Sequence, residues 1–527
     1  MLIRTSDLGG RVDDLTTIPT SHLPSPLVDS SETARGELLQ LARRWTGQYA
    51  SVERSKESLS HQGMTNELAI PSVFLSGHQP ELFHAGVWFK NFVLAEAAKS
   101  TSAVPVNLLI DQDLVKSNSL LVPSLINGNH WRQRVPLDYG GVGLPFEERQ
   151  VEHPDVLATV PDRVRATALP WVSAELLSEM WPDVLELSRE LRGLGYGFAA
   201  ARHRLEHNVG CRNLEVPLSW VCQTQSFAQF VVKILERLET FVDSYNRCLA
   251  AYRIWYGLRG LQRPMPDLVV QESWHELPFW IWTAQQPVRQ RLFAKRTNDG
   301  WQLSAGRDTE IHVDVWRLEL DHQFAEEQIV GFSELQVRLR PRALMTTLYA
   351  RGVLSQAFLH GIGGALYDQM TDRLAQIVWG MKLPAYAIAT ATMHLTPPTS
   401  DVSTQQRQKL QRYLRDLHFS PERVPAFAQR FPEWIAEKEI LLHKIPPQKH
   451  RRAWQQQIEQ MLAHSSRWLA PEIADVQSQL ERLETQLQER DLMTHREWSF
   501  VLFGRNLPAE LRDLAHNCSV TRPMPQG

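Results

Sequence analysis

Apolar residues in this chain follow two alternating patterns, short continuous runs and stretches with helical spacing. The run "SVFL" at 72–75 precedes "AGVWFKNFVLAEAAK" at 85–99, where Trp88, Phe92 and Ala95 share a face with Phe89 and Val93 beside them. A second run, "VPVNLLID" at 104–111, follows. Strand, helix and strand within about 40 residues make a βαβ unit, whose right-handed crossover places both strands in one parallel sheet. Because the two runs are apolar at almost every position, the sheet is expected to be covered on both faces. A Ser-, Thr- and Pro-rich arm and an amphipathic helix, with Leu38, Leu39, Leu41, Ala42 and Trp45 on one side, occupy 1–66 ahead of this first core segment at 67–126.

Between 127 and 267 the pattern turns mainly helical, with long candidates at 174–195 and 226–255, and reads as a helical insertion. Alternating apolar and polar residues at 279–306 and 310–318, with Asn298-Asp299-Gly300 as turn chemistry, predict a small antiparallel element over 268–330. From 331 to 398 the α/β pattern returns. A helix runs through "PRALMTTLYARGVL", the run "QAFLH" leads into "GIGG", another helix spans "ALYDQMTDRLAQIVWGM", and "AYAIATATM" is strand-like. After Pro397-Pro398 the composition shifts, and 399–527 reads as a C-terminal helical hairpin or coiled coil. Ile473, Val476, Leu480, Leu483 and Leu487 are spaced 3, 4, 3, 4 as a heptad seam, and the helix at 405–418 could pack against it. The final "SVTRPMPQG" is expected to be loose.

Composition narrows the function classes. With 527 residues the chain holds several structural units, and 56 basic against 59 acidic residues leave a net charge of −3 and no field that would gather nucleic acid or anionic membrane. There is no apolar run of about 18 residues and no signal-peptide pattern at the start, so a cytoplasmic protein is expected. The four cysteines, Cys211, Cys222, Cys248 and Cys518, form no CxxC pair and read as reduced, mostly buried thiols. Many of the 17 tryptophans, as in "SWHELPFWIW" at 273–282, suit buried aromatic packing.

Three loops could carry chemistry. The first, "SGHQPELFHAG" at 76–86, leaves a strand and enters a helix, where an open α/β sheet binds ligands on unpaired helical N–H groups. Ser76, Gly77 and Gly86 admit a ligand, while His78, Gln79 and His84 offer polar groups for catalysis or positioning; the plainer alternative is a turn whose histidines bond to backbone. The second, "LLIDQDLVKSNSL" at 108–120, places Asp111, Asp113, Lys116, Ser117 and Asn118 after the next strand, where paired carboxylates could bind Mg²⁺, a ribose hydroxyl or a substrate amine, or only make a turn and a cap. The third, "HGIGGALYDQ" at 360–369, sets His360, Gly361, Gly363, Gly364 and Tyr367 before a helix as an anion cradle, although its spacing is neither GxGxxG nor GxxxxGK[ST]. Arg338, Arg340 and Arg342 lie just upstream of it, with Arg340 the candidate for an anionic group. His203, His207 and Cys211 are spaced by four, but Gly210 interrupts the helix and HExxH is absent, so no metal site is assigned.

In this order, "SGHQPELFHAGVWFKNFVLAEAA", "VPVNLLIDQD" and "QAFLHGIGGALYDQM" resemble segments of the bacillithiol synthase family, the cysteine-adding enzymes of bacillithiol biosynthesis. Those proteins carry TGQQ-x-G-LF, PVFW-x-x-GEDHD and Y-x-GGPGE-x-x-Y. On that comparison Ser76, Gly77, His78 and Gln79 stand where TGQQ does, Asp113 where an acidic-loop aspartate does, and Gly363, Gly364 and Tyr367 near the GG and Tyr. Here His78 replaces Gln, GEDHD is reduced to Asp111-Gln112-Asp113, and PGE is absent. The resemblance covers about a quarter of the chain. It implies a Rossmann-like core, a coiled coil that serves a homodimer, and a ligase-like enzyme joining a cysteine-like amino acid or an amine to a small-molecule acceptor, with ATP or ADP and Mg²⁺ as the candidate cofactors. A fainter likeness, "GHQPELFHAGV" to the GxFDPxHxGH of nucleotidylyltransferases, keeps Pro80, His84 and Gly86 but has Val87 for the second His. A third reading is a non-catalytic metabolite-binding or scaffold protein that assembles through its coiled coil.

Overall fold

The structure, a computed structural model, describes residues 2–4, 26–51, 70–258, 265–306, 315–395 and 403–521. Most of the expected N-terminal arm, the Pro397-Pro398 junction and the end of the C-terminal tail lie outside the described residues.

The expected βαβ unit forms. Strand Val73–His78 leads into helix Ala85–Lys99 and returns as strand Val104–Leu109, parallel to the first with Val73 opposite Val104 and His78 opposite Leu109. Ala357–His360 and Tyr386–Ala389 extend the sheet on the other side, also in parallel. The strand beyond Val104–Leu109 is Leu214–Pro217, which comes from the stretch whose pattern predicted helices; at 4 residues it is too short to show a period of its own. Numbered along the chain, the parallel strands lie in the order 3-2-1-4-5, and Leu2–Arg4 adds an antiparallel edge.

Both faces are covered, as the continuous apolar runs require. Val73, Leu75, Val106, Leu108 and Phe358 pack in one cluster with Leu374 and Val378 of helix Ile362–Trp379. Leu109, Leu359 and Ala387 pack in another with Phe89 and Phe92 of helix Ala85–Lys99. The helices that follow neighbouring strands Val73–His78 and Ala357–His360 therefore leave to opposite faces. The strand order reverses at this same point, so the carboxyl ends of the two strands open into a crevice.

The antiparallel element is a sheet of Val315–Glu319, Gly300–Ala305, Gln286–Thr297, Trp274–Thr283 and Val337–Pro341, in that order. Its turn at Asn298-Asp299 is where the sequence places it. Val337–Pro341, which the sequence assigns to the core, pairs instead with Trp274–Thr283. Phe279 of this sheet packs on Phe227 and Phe230 of helix Gln225–Leu235, joining it to the first cluster.

After residue 403 the chain is helical. Thr404–Phe419 packs along Ala470–Met493, with Leu417, Ile473, Val476 and Leu480 in a small core of their own. The chain then turns back. Trp498 and Phe500 join the cluster around helix Ala85–Lys99, with the Phe500 ring centre 4.5 Å from that of Trp88 and 5.7 Å from that of Phe83, and helix Leu507–Thr521 lies on the same side through Leu507, Leu511 and Ala515. No helix among the described residues is long and apolar enough to cross a membrane.

Candidate functional site

At the crevice where the strand order reverses lies a cleft of about 450 Å³. Gly77 and Gln79 come to it from the first loop, Gln112 and Asp113 from the second, and His360, Gly361, Gly364 and Tyr367 from the third. Strand alternation decides which side chains reach it. Gly77 and His360 lie on the cleft side, and His78, one residue on, points to the opposite face.

There His78 is buried, its ring 4.7 Å from Phe83 and its Nδ1 3.3 Å from the Gln79 carbonyl oxygen. Burial, then Arg202 and Lys90, keep its pKa well below the ordinary histidine value, so the ring is neutral. His84 caps helix Ala85–Lys99, its Nδ1 accepting from Gly86 N–H at 3.1 Å. Gly86 itself serves packing: a Cβ there would lie 2.3 Å from the Ala391 carbonyl oxygen. Ser76 Oγ donates to the Leu359 carbonyl oxygen at 3.0 Å and ties two strands together.

The two aspartates diverge. Asp111 is fully buried and accepts from Ser219 N–H at 2.9 Å, Tyr196 OH at 2.7 Å and the Ser219 hydroxyl, fastening the loop to the end of strand Leu214–Pro217. Asp113 stands at the cleft, 39% exposed, accepting from Gln79 Nε2 at 2.7 Å with Arg289 Nη1 3.6 Å away. Lys116 and Ser117 are exposed away from the cleft, and buried Asn118 donates to the Gly140 carbonyl. Arg340 is buried in a two-pronged pair with Glu147, at 2.9 and 2.8 Å. Gly363 does not line the cleft, but it lies in the first turn of helix Ile362–Trp379 between two residues of the loop that does.

Three residues that the sequence did not single out complete the site. Asp368 accepts from His360 Nε2–H at 2.7 Å and from Arg351 Nη1 at 2.8 Å. Burial would raise the Asp368 pKa, but His360 and Arg351 outweigh it and hold it below the usual carboxylate value. Burial lowers the His360 pKa in spite of Asp368, so at neutral pH the ring is uncharged. With Nε2–H committed to Asp368, Nδ1 carries the lone pair. Gly364 has to be glycine for this ring to sit there, because a Cβ would lie 2.7 Å from Nδ1. The third is Lys90, 7% exposed, whose Nζ reaches over the sheet edge to donate to the Gly77 carbonyl oxygen at 3.0 Å. Burial brings its pKa down to about 8.

Helix Ile362–Trp379 starts at Gly361 with no side chain capping it, so its first N–H groups face the cleft end unsatisfied within the helix. The other walls are apolar or hydroxylic: Ile110, Leu344, Phe358, Thr346 and Thr347. His203 is committed to the Asn213 carbonyl oxygen at 2.8 Å, and among the described residues no group of His, Cys, Asp and Glu is arranged to hold a metal ion. No family model matches this chain, and no curated protein matches it.

Proposed function

We propose that the chain is a bacillithiol-synthase-like enzyme, whose Rossmann-like cleft binds a nucleotide or a related small molecule and joins a cysteine-like amino acid or an amine to an acceptor. The observation that carries this reading is convergence. The three loops that bear the resemblance, at 76–86, 108–120 and 360–369, line a single cleft. The strand order supports the reading, because 3-2-1-4-5 matches five of the six strands of the dinucleotide-binding order, and open α/β sheets bind ligands at such a crevice.

The residues suit a condensation that begins with proton removal from an amine or thiol. Asp113, oriented by Gln79, offers a carboxylate for a substrate ammonium group. Neutral His360 presents Nδ1 as the base, and the Asp368 charge stabilises the imidazolium formed when it takes the proton. Arg351 holds that carboxylate in place. For a nucleotide, the uncapped helix start at Gly361 and Lys90 fit its anionic part. For Mg²⁺, Asp111 does not fit, because its oxygens are already bonded, and Asp113 is the carboxylate that would face the ion.

A non-catalytic binding or scaffold protein is the second reading, and the structural roles of His78 and His84 favour it. Nucleotidylyl transfer has less support, since its matching histidine, His84, is the helix cap. Calorimetric titration with ATP, ADP and cysteine tests the preferred reading. Wild-type protein is expected to bind, and Asp113→Asn to weaken cysteine binding by at least about tenfold, the worth of one charge-assisted hydrogen bond. Absence of binding by all three ligands would sink it; binding without turnover in any mixture would favour the scaffold reading.

A further inference from the structure

We propose that one end of the cleft is a phosphoryl subsite, in which Lys90 Nζ and the unpaired amide N–H groups at the start of helix Ile362–Trp379, where Gly361 and Gly364 line the cleft, hold the phosphate of the ligand. This rests on the reading of the cleft as a small-molecule site.

The first observation is a buried charge with no counter-charge. Lys90 lies on a largely buried helix and lines the cleft, and its ammonium makes one hydrogen bond, to the Gly77 carbonyl, out of the three it can donate. No carboxylate lies within ion-pair distance of it among the described residues. Asp368, in the same cleft, is committed to Arg351 and His360, and Asp113 accepts from Gln79. Buried charges are ordinarily paired. An anion in the cleft supplies the missing partner.

The second observation is where Lys90 goes. A Cβ built on Gly361 would lie 4.0 Å from Lys90 Cδ, so the lysine chain passes directly beside the start of helix Ile362–Trp379. That helix spans 18 residues, and its first main-chain bond runs from Ala365 N–H to the Gly361 carbonyl oxygen, which leaves the three preceding amides without a helical acceptor. Space at Gly363 is open, with nothing within 4 Å of where a side chain would begin. An ammonium beside the unpaired amides of a helix start matches the several oxygens of a phosphoryl group better than the two of a carboxylate.

A third observation points to a ligand on independent grounds. Gln112 is 2% exposed, lines the same cleft, and has its amide oxygen without a hydrogen-bond partner. An unpaired buried acceptor at the cleft wall needs a donor, and a small turn of the Gln112 amide would offer it to a hydroxyl of the same ligand.

The test is the rise in unfolding temperature and the calorimetric affinity produced by inorganic phosphate, pyrophosphate and, at equal ionic strength, acetate. Proteins compared are the wild type, Lys90→Met, Lys90→Arg and Lys116→Met. Wild type is expected to bind phosphate and pyrophosphate. Lys90→Met should lose at least about tenfold in affinity, Lys90→Arg should retain part of it, and Lys116→Met, outside the cleft, should match wild type. Equal phosphate binding by wild type and Lys90→Met, or no binding by wild type, overturns the subsite. A preference for acetate over phosphate overturns the phosphoryl assignment. Cysteine binding in the same samples reports separately on the cleft: if it persists while the phosphate arm fails, the subsite is wrong and the broader reading stands.

Discussion

In the unfolded chain the Lys90 amine titrates near its ordinary 10.5, and in the folded protein burial brings it to about 8. Between those values the unfolded state binds a proton that the folded state does not, so stability falls as pH drops from 10.5 to about 8 and stays reduced below. The shift corresponds to roughly 3 kcal/mol, and the hydrogen bond to Gly77 returns about 1 kcal/mol. Lys90→Met is therefore expected to stabilise the ligand-free protein by about 1–2 kcal/mol at pH 7, with the gain fading as pH approaches 10.5; urea unfolding across that range checks it. A residue kept at a cost to the fold is what a binding site requires. At Gly364 the expected effect has the opposite sign. Gly364→Ala would push the His360 ring off Asp368 and lose about 1–3 kcal/mol, read by thermal unfolding, with the His360 ring resonances shifted in NMR spectra. Gly77, Gln79, Asp113, His360 and Gly361 were legible as candidates in the sequence because they lie at or just past the ends of apolar runs, where sheets place their sites, and Tyr367 because it lies early in the helix that follows. His78 belongs to the same loop, but strand alternation turns it away. Lys90 was not legible, since a lysine in a helical pattern reads as a solvated one. Its signal was the neighbourhood "GVWFKNFVLA", in which the helical neighbours of the lysine, Gly86, Val87, Val93 and Leu94, give it no polar face to share.

Helix Ala470–Met493 meets one of the two partners its heptad pattern offers, a helix of the same chain. Its heptad positions Ile473, Val476, Leu480, Leu483 and Leu487 are all buried within the single chain. The first three pack with Leu417 of helix Thr404–Phe419, so that part of the seam is already occupied without a second copy. Leu480→Ala is expected to cost about 2–4 kcal/mol in unfolding experiments and to leave the sedimentation coefficient of the folded protein unchanged. If Leu480→Ala instead converts a dimer to a folded monomer, the seam is intermolecular. The hairpin of Ser119–Ile126 and Asn129–Pro136, absent from the expectations above, carries a local signal: Asn127-Gly128, both at positive φ, is a two-residue turn between two runs of strand length. Strand Leu214–Pro217 lay beyond sequence reading, because its identity depends on the edge of Val104–Leu109 that it joins.

Across the whole molecule, the order of segments along the chain and their order in space part company at the C-terminus. Residues 399–527 read as one helical unit, yet Trp498, Phe500 and helix Leu507–Thr521 return to cover the first loop, with Phe500 N–H donating to the Phe83 carbonyl oxygen at 2.9 Å. Phe500→Ala is expected to cost about 3–5 kcal/mol and to raise amide exchange through 78–86, which hydrogen-exchange mass spectrometry would detect. Segments hundreds of residues apart thus brace the sheet edge on which the three loops meet. The most direct test of that convergence is calorimetric titration of ADP into wild type and Ala343→Trp, a substitution at an exposed position on the cleft wall that fills the cleft and leaves the core untouched. Binding by the wild type that Ala343→Trp abolishes is the expected result. Equal binding by both proteins, or by neither, would contradict the assignment of this cleft as the ligand site.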